Sequence, residues 1–272
     1  MIKIDHEKKE GTSVLKSQRQ TEIIEILKKE KFITVTELAA RLFASLPTVR
    51  RDLTALEREG YVTRCHGGAM IMDANTKPPI GYRREKNIHE KANICRVAAS
   101  LIPERAAIFL DSSTTALGMT DLIPSSLDLT VVTNSLLIAA RLAERGIRVY
   151  ALGGAVSNES MAFVGRQAEE NITRYNVDLM FFSVSALSSD GVLSDWAEGE
   201  AGVRMQMAKN SAHVILMCDS TKLGTSSAFR LFNLSAVDRV VTDRPLPDDL
   251  VEKFDLSCEG DSTAYLYRVR KN

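Results

Sequence analysis

The sequence predicts a two-domain α/β protein: a small helical domain ending in a β-wing over residues 17–72, and a larger, mostly parallel α/β domain over residues 82–272. Three observations predict it. Residues 45–58 have helical apolar spacing, and strand composition with the Gly67-Gly68 pair follows them. From residue 106 onward, short continuous apolar runs alternate with helical segments, as strands covered on both faces require. Between the two regions, residues 73–81 contain Pro78 and Pro79 and read as a stiff linker.

Composition bounds the function. The 272 residues suffice for two cores, and the formal net charge is zero, so no global polybasic character points to nucleic acid. Residues 1–77 hold 14 Lys and Arg against 11 Asp and Glu, too small an excess to decide anything alone. Cys65, Cys95, Cys218 and Cys258 lie far apart without zinc-site spacing, so idle thiols in a reducing compartment are expected and no metal site is. There is neither a signal-peptide pattern nor an apolar run near 18 residues, so a cytoplasmic protein without membrane contact is expected.

The N-terminal elements follow in order. Residues 1–16, rich in Lys and Glu, are expected to be a frayed tail. A first helix is predicted over 17–30, with Ile23, Ile24, Ile26 and Leu27 on its apolar side. A second is predicted within 34–43, with Thr36 as cap and Leu38, Leu42 and Phe43 turned inward. The third opens at Ser45 as cap, with Pro47 in the first turn. Leu46, Val49, Leu53 and Leu56 form its apolar stripe. Pro47, Arg51, Thr54 and Arg58 fall on the opposite face, flanked by Thr48 and Arg50. Gly60 is expected to end the helix, and residues 61–64 to begin a wing carrying Arg64 and His66. Three helices and a wing are the winged helix-turn-helix plan, whose third helix enters a major groove. Ser45, Pro47, Thr48, Arg50, Arg51, Thr54, Arg58, Arg64 and His66 are therefore the candidate contacts to double-stranded DNA. Taken alone, this outer face equally describes a solvated amphipathic helix.

In the second domain a helix is predicted over 92–101. Buried strands are predicted at 106–110, 129–133, 148–152, 179–184, 213–218 and 239–242, with a last strand at 264–269. Helices are predicted at 116–123, 136–145, 165–174 and 200–210. Ligands of such sheets bind at the carboxyl ends of the strands. There the sequence delivers Asp111, Ser112, Ser113, Thr114 and Thr115, then Thr133, Asn134 and Ser135, then Gly153 and Gly154. A polar loop with Asp190, Asp195 and Trp196 precedes Glu200 and Arg204, and the last end carries Asp219 and Lys222. Hydroxyls leading into a helix suit an anion such as phosphate, and a lysine can act as its point charge. Each piece also has an ordinary reading: N-caps, turns, and an i,i+4 surface ion pair for Glu200 and Arg204.

Thr48-Val-Arg-Arg-Asp-Leu53, Leu56-Glu57, Gly60, Arg64 and His66-Gly-Gly-Ala69 together resemble the signature of the DeoR family of bacterial repressors. The strand-end order Asp111, Thr114-Thr115, Thr133-Asn-Ser135, Leu152-Gly-Gly154, Val164-Gly165, Asp178, Glu200 and Asp219-Ser-Thr-Lys222 resembles that family's sensor domain. Arg83, Asn87 and Lys91 resemble the pattern at which that domain begins. The resemblance implies a winged helix-turn-helix domain joined to a sensor similar in fold to ribose-5-phosphate isomerase. It implies a repressor of a carbohydrate operon, released from operator DNA by a phosphorylated sugar, without cofactor, and working as a homodimer or higher assembly. Ser113 and Ala186 stand where the family commonly has glycine, and Arg204 where lysine is usual. Two other functions stay open on sequence: an isomerase-like enzyme using Asp111, Glu200 and Lys222 for acid–base work, and an effector-dependent activator.

Overall fold

The structure, a computed structural model, describes residues 7–58, 61–65, 67–71, 77–78, 80–259 and 263–270. Chain contacts divide it into two compact units, Met1–Lys86 and Asn87–Asn272.

In the first unit, α1 (Glu7–Glu30) is followed by β1 (Phe32–Thr34), α2 (Val35–Arg41), α3 (Leu46–Arg58), β2 (Thr63–Cys65), β3 (Gly68–Met70) and α4 (Ile80–Glu85). The expected tail is corrected: α1 already runs from Glu7, because Lys- and Glu-rich sequence extends a nucleated helix at little cost. The cap of α2 is Thr34 rather than Thr36. Its hydroxyl accepts from Glu37 N while the Glu37 carboxylate accepts from Thr34 N, a reciprocal capping box. Phe43, expected inside, is 98% exposed with φ 47°, since α2 ends at Arg41 and the chain turns there. Leu46 is also exposed, leaving Val49, Leu53 and Leu56 to pack with Ile23, Leu27, Leu38 and Ile33.

Strand β1 was not foreseen. It pairs antiparallel with β3, which pairs with β2, so the wing grows onto a three-stranded sheet. Gly67 turns the wing at φ 78°, and any side chain at Gly68 would meet the Ile33 carbonyl at 2.5 Å. Gly60 and His66 lie outside the described residues, as do residues 1–6, 72–76 and Pro79 of the expected tail and linker. Ile80 and Gly81, expected in the linker, open α4.

The second unit begins with α5 (Ile88–Ala99), four residues ahead of the predicted start. The chain continues through β4 (Ala107–Leu110), α6 (Thr114–Met119), β5 (Thr130–Thr133), α7 (Leu136–Glu144) and β6 (Arg148–Ala151). The hairpin β7 (Ala155–Ser157) and β8 (Ala162–Val164) leads to α8 (Arg166–Ile172) and β9 (Val177–Phe182). After β10 (Ala186–Leu187), β11 (Val192–Asp195) and α9 (Glu198–Lys209) come β12 (Ser211–Met217), β13 (Phe229–Asn233) and β14 (Arg239–Thr242). Helix α10 (Asp248–Lys253), β15 (Leu256–Cys258) and β16 (Tyr265–Val269) close the chain.

The main sheet has the order β15-β16-β14-β12-β9-β4-β5-β6. It is parallel from β14 to β6, and β16 and β15 join antiparallel. Neighbouring residues on a strand point to opposite faces. Accordingly Ile108 and Leu110 join one core with α5, α6 and α7, while Phe109 joins the other with α8, α9 and α10. The short strands β7, β8, β10, β11 and β13 were not predicted. They form a hairpin and a small antiparallel sheet beside the main one.

Candidate functional site

Helix α3 presents Ser45, Pro47, Arg50, Arg51 and Arg58 to solvent, with Thr48 and Thr54 half-buried. Ser45 bonds the Thr48 hydroxyl at 2.9 Å and accepts from Thr48 N at 3.4 Å, so it caps the helix as expected. No hydrogen bond or ion pair holds the Arg50, Arg51 or Arg58 side chains among the described residues, which leaves these guanidinium groups available on one face. Arg64 behaves differently from its neighbours. Its guanidinium donates to Thr54 Oγ1 at 2.7 Å, and its N–H to Glu57 Oε1 at 2.9 Å, so the wing is hooked onto α3. Asp52, between the arginines and Leu53, turns inward. It is fully buried and pairs with Arg19 of α1 at 2.5 Å, which fixes the helix from behind.

In the second unit β5 and β9 flank β4 on opposite sides, so the strand order reverses there. Such a switch point opens a crevice at the carboxyl ends. Asp111 follows β4 and Ser183 follows β9; Ser183 N donates to Asp111 Oδ2 at 3.4 Å. Arg204, from α9, fills the space between. Its Nε donates to Asp111 at 2.7 Å, one terminal nitrogen to Asp195 at 2.6 Å, and both terminal nitrogens reach Glu200 at 3.5 Å. All four side chains are buried, so the surface-pair reading of Glu200 and Arg204 is corrected. Burial works against the guanidinium charge, but Asp195, Asp111 and Glu200 outweigh it and raise its pKa.

Further donors hold the two aspartates. Asp111 Oδ1 accepts from Ser113 N at 3.1 Å and from Ser113 Oγ at 2.6 Å; Asp195 Oδ1 accepts from Ser185 Oγ and Trp196 N. Ser113, in the position of a family glycine, also caps α6 by accepting from Ala116 N at 3.0 Å. Thr133 donates to the Leu110 carbonyl and accepts from Ser135 N, and Ser135 caps α7. The Asn134 amide nitrogen donates to the Phe163 carbonyl at 3.1 Å and to Ser112 Oγ at 3.4 Å. Gly153 and Gly154, at φ 72° and 117°, stand at the end of β6; the space beside Gly154 is filled by Ala168, 3.3 Å from where a Cβ would be. Thus another backbone, not open space, meets that glycine.

Two cations border this edge. Lys222 Nζ donates to Ser183 Oγ at 2.8 Å and pairs with Asp219 at 3.2 Å. Burial pushes the Asp219 carboxyl up, but Lys222 and the donors Thr221 and Asn87 win and hold its pKa at about 2. Lys91, on α5, is buried and donates to Thr114 Oγ1 at 3.2 Å. Asn87, just ahead of α5, adopts φ 56° and donates to Asp219 at 2.9 Å and Thr221 at 3.1 Å. Among the described residues, no group of three or more His, Cys, Asp and Glu side chains is placed to hold a metal ion, and no helix is long and apolar enough to cross a membrane.

Comparison with known proteins bears on both units. The DeoR-like helix-turn-helix domain matches residues 19–75, and the DeoR C-terminal sensor domain matches residues 86–244, over half of the chain. The chain belongs to the DeoR family. It is a DNA-binding transcriptional regulator rather than an enzyme, which removes the isomerase reading. Similar DeoR-family proteins include the glycerol-3-phosphate regulon repressor of Escherichia coli, 29% identical and covering 87% of this chain and 94% of that protein. The regulator GolR of Listeria innocua is 32% identical over 87% and 94%, and the repressor GlcR of Bacillus subtilis is 32% identical over 84% and 88%. A ribose-5-phosphate isomerase in complex with phospho-erythronic acid is 12% identical with a TM-score of 0.38, over 66% of this chain and 78% of that chain, a likeness that carries no argument about chemistry.

In this DeoR-family chain the sequence reading singled out Glu200, Arg204, Asp111, Asp219 and Lys222, and the fold brings these to the β4–β9 crevice. It missed Lys91 and Asp195 as participants. Lys91 was visible in the Arg83, Asn87, Lys91 spacing; Asp195 stood in the sequence only as a member of a polar loop, and the unpredicted strand β11 brings it to Arg204.

Proposed function

We propose that this protein represses a carbohydrate operon and leaves its operator when a phosphorylated sugar enters the β4–β9 crevice. The observation that carries the reading is the pairing, at one edge of the sheet, of two lysines with hydroxyl-bearing turns. Lys91 lies against Thr114, and Lys222 lies against Ser183. Ammonium groups backed by hydroxyl donors suit a phosphate, and amide and hydroxyl groups suit a sugar. A relative named as the glycerol-3-phosphate regulon repressor supports a small phosphorylated, hydroxyl-bearing effector. The DNA contacts are Ser45, Pro47, Thr48, Arg50, Arg51, Thr54 and Arg58, with Arg64 positioning Thr54. Two or more copies act together in the cytoplasm, since each chain supplies one recognition helix and half-sites come in pairs. The effector favours an arrangement of copies that no longer fits the operator, which requires that it bind that arrangement more tightly.

The test selects DNA from a random pool with the full chain, then adds phosphorylated and free sugars in a mobility-shift assay. Release by a phosphorylated sugar and not by its free counterpart is the expected result. Tighter DNA binding with the phosphorylated sugar would establish the activator instead, and no response to any sugar phosphate would reject the effector class.

A further inference from the structure

The carboxyl edge that bears the crevice also holds, on the β5 side of β4, a buried acceptor that no described residue answers. Asn134 is 2% exposed, and its Oδ1 has no hydrogen-bond partner among the described residues. The orientation of this amide is fixed by chemistry. The Phe163 carbonyl can only accept, so the nitrogen must face it, and the Phe163 N–H donates in turn to the Asn134 backbone carbonyl at 2.7 Å. The oxygen therefore stays on the other side of the amide. Asn134 follows β5, and Thr133 is in register with Leu110, the last residue of β4. Asn134 thus stands at the carboxyl edge between the ends of β4 and β5, with its nitrogen also reaching Ser112 Oγ and its oxygen left over.

The carboxylates of the same edge are otherwise engaged. Both Asp111 oxygens and both Asp195 oxygens accept from Arg204, serines or backbone N–H groups. Every oxygen of these two acids thus already has a protein donor, whereas the Asn134 oxygen has none among the described residues. An amide oxygen, unlike a serine hydroxyl, cannot rotate to become a donor, and leaving it unpaired in the interior is costly. A phosphate dianion brings no donor to it. A sugar hydroxyl or amide N–H does.

We infer that Asn134 is the specificity-determining residue of the effector crevice: its Oδ1 accepts a hydrogen bond from one hydroxyl or N–H of the sugar, while Asp111, Asp195 and Arg204 form the floor without touching the ligand. The inference rests on the sugar-phosphate reading above and adds which atom reads the sugar.

The test is calorimetry on the full chain with glycerol 3-phosphate, fructose 1-phosphate, glucose 6-phosphate and galactosamine 6-phosphate, followed by single-deoxy or deamino analogues of the tightest one. Wild-type protein should lose about tenfold in affinity with one particular analogue and little with the rest. Asn134→Ala should lose about tenfold with the parent ligand and nothing further with that analogue. Four results speak against parts of this. If none of the four binds wild-type protein, the sugar-phosphate reading falls and takes the inference with it. If one binds and Asn134→Ala binds it equally well, the effector class stands and the role of Asn134 is rejected. If Asn134→Ala weakens parent and analogues alike, the residue only shapes the crevice, and the inference is overturned. If Asn134→Ala does not fold, a flat analogue series on wild-type protein overturns it just as well, because then a buried water and no ligand group answers the oxygen.

Discussion

Arg204 is stable only together with its three carboxylates, because each member alone would be an uncompensated buried charge. Arg204→Met should therefore cost about 3–5 kcal/mol of sensor stability, measured by chemical denaturation, whereas Arg204→Lys keeps one charge and should cost less. Equal stability of the Met variant and wild type would mean that the network is not what seals α9 to β4. The Asp219–Lys222 pair makes a separate prediction. The folded pKa of Asp219, about 2, lies below its ordinary value of 3.8. The group thus contributes stability above pH 3.8, and loses it as pH falls toward 2. Lys222→Met should flatten the fall in unfolding free energy across that window, and an unchanged slope would remove Lys222 as the cause. On the DNA face, Arg51→Ala should cut specific affinity by about 1–3 kcal/mol in a mobility-shift assay if its free guanidinium reads a base edge. A uniform, smaller loss over all sequences would make it a phosphate contact.

At the scale of elements, short sequence signals fixed ends and long-range pairing fixed the rest. Thr34 caps α2 and also ends β1, so one residue sets the corner between wing sheet and helix. Thr34→Ala should weaken that corner by about 1 kcal/mol and speed amide exchange across α2; unchanged protection would show that β1 pairing alone holds it. The misplaced cap at Thr36 came from treating two hydroxyls as equal, when only Thr34 has a glutamate three residues on. The Arg64–Thr54 hook is another long-range effect, ten residues apart in sequence. Five of the missed strands share one cause. β1, β7, β8, β10 and β11 are two to four residues long, too short for an alternating pattern to show, and exist because a neighbouring strand satisfies their backbone groups.

At the scale of the whole molecule, the two units divide the labour of reading DNA and sensing a small molecule. One recognition helix per chain is the ground for the paired copies proposed above. A footprint of the selected DNA should show two half-sites, about one helical turn or a multiple of it apart; protection of a single half-site would reject paired binding.

The sequence by itself determined the helix-turn-helix and wing, the parallel strands, and the set of side chains at their carboxyl ends. These follow from local periodicity, capping chemistry and ordered motifs, all contained in short windows of chain. Only the tertiary structure decided what those side chains do. Strand order placed β4 between β5 and β9, brought Asp195 and Glu200 around Arg204, and hooked Asn134 to Phe163 with one oxygen left over. Such assignments depend on contacts between residues far apart in the chain, 93 positions between Asp111 and Arg204 and 134 between Asn87 and Thr221, and no local pattern records them.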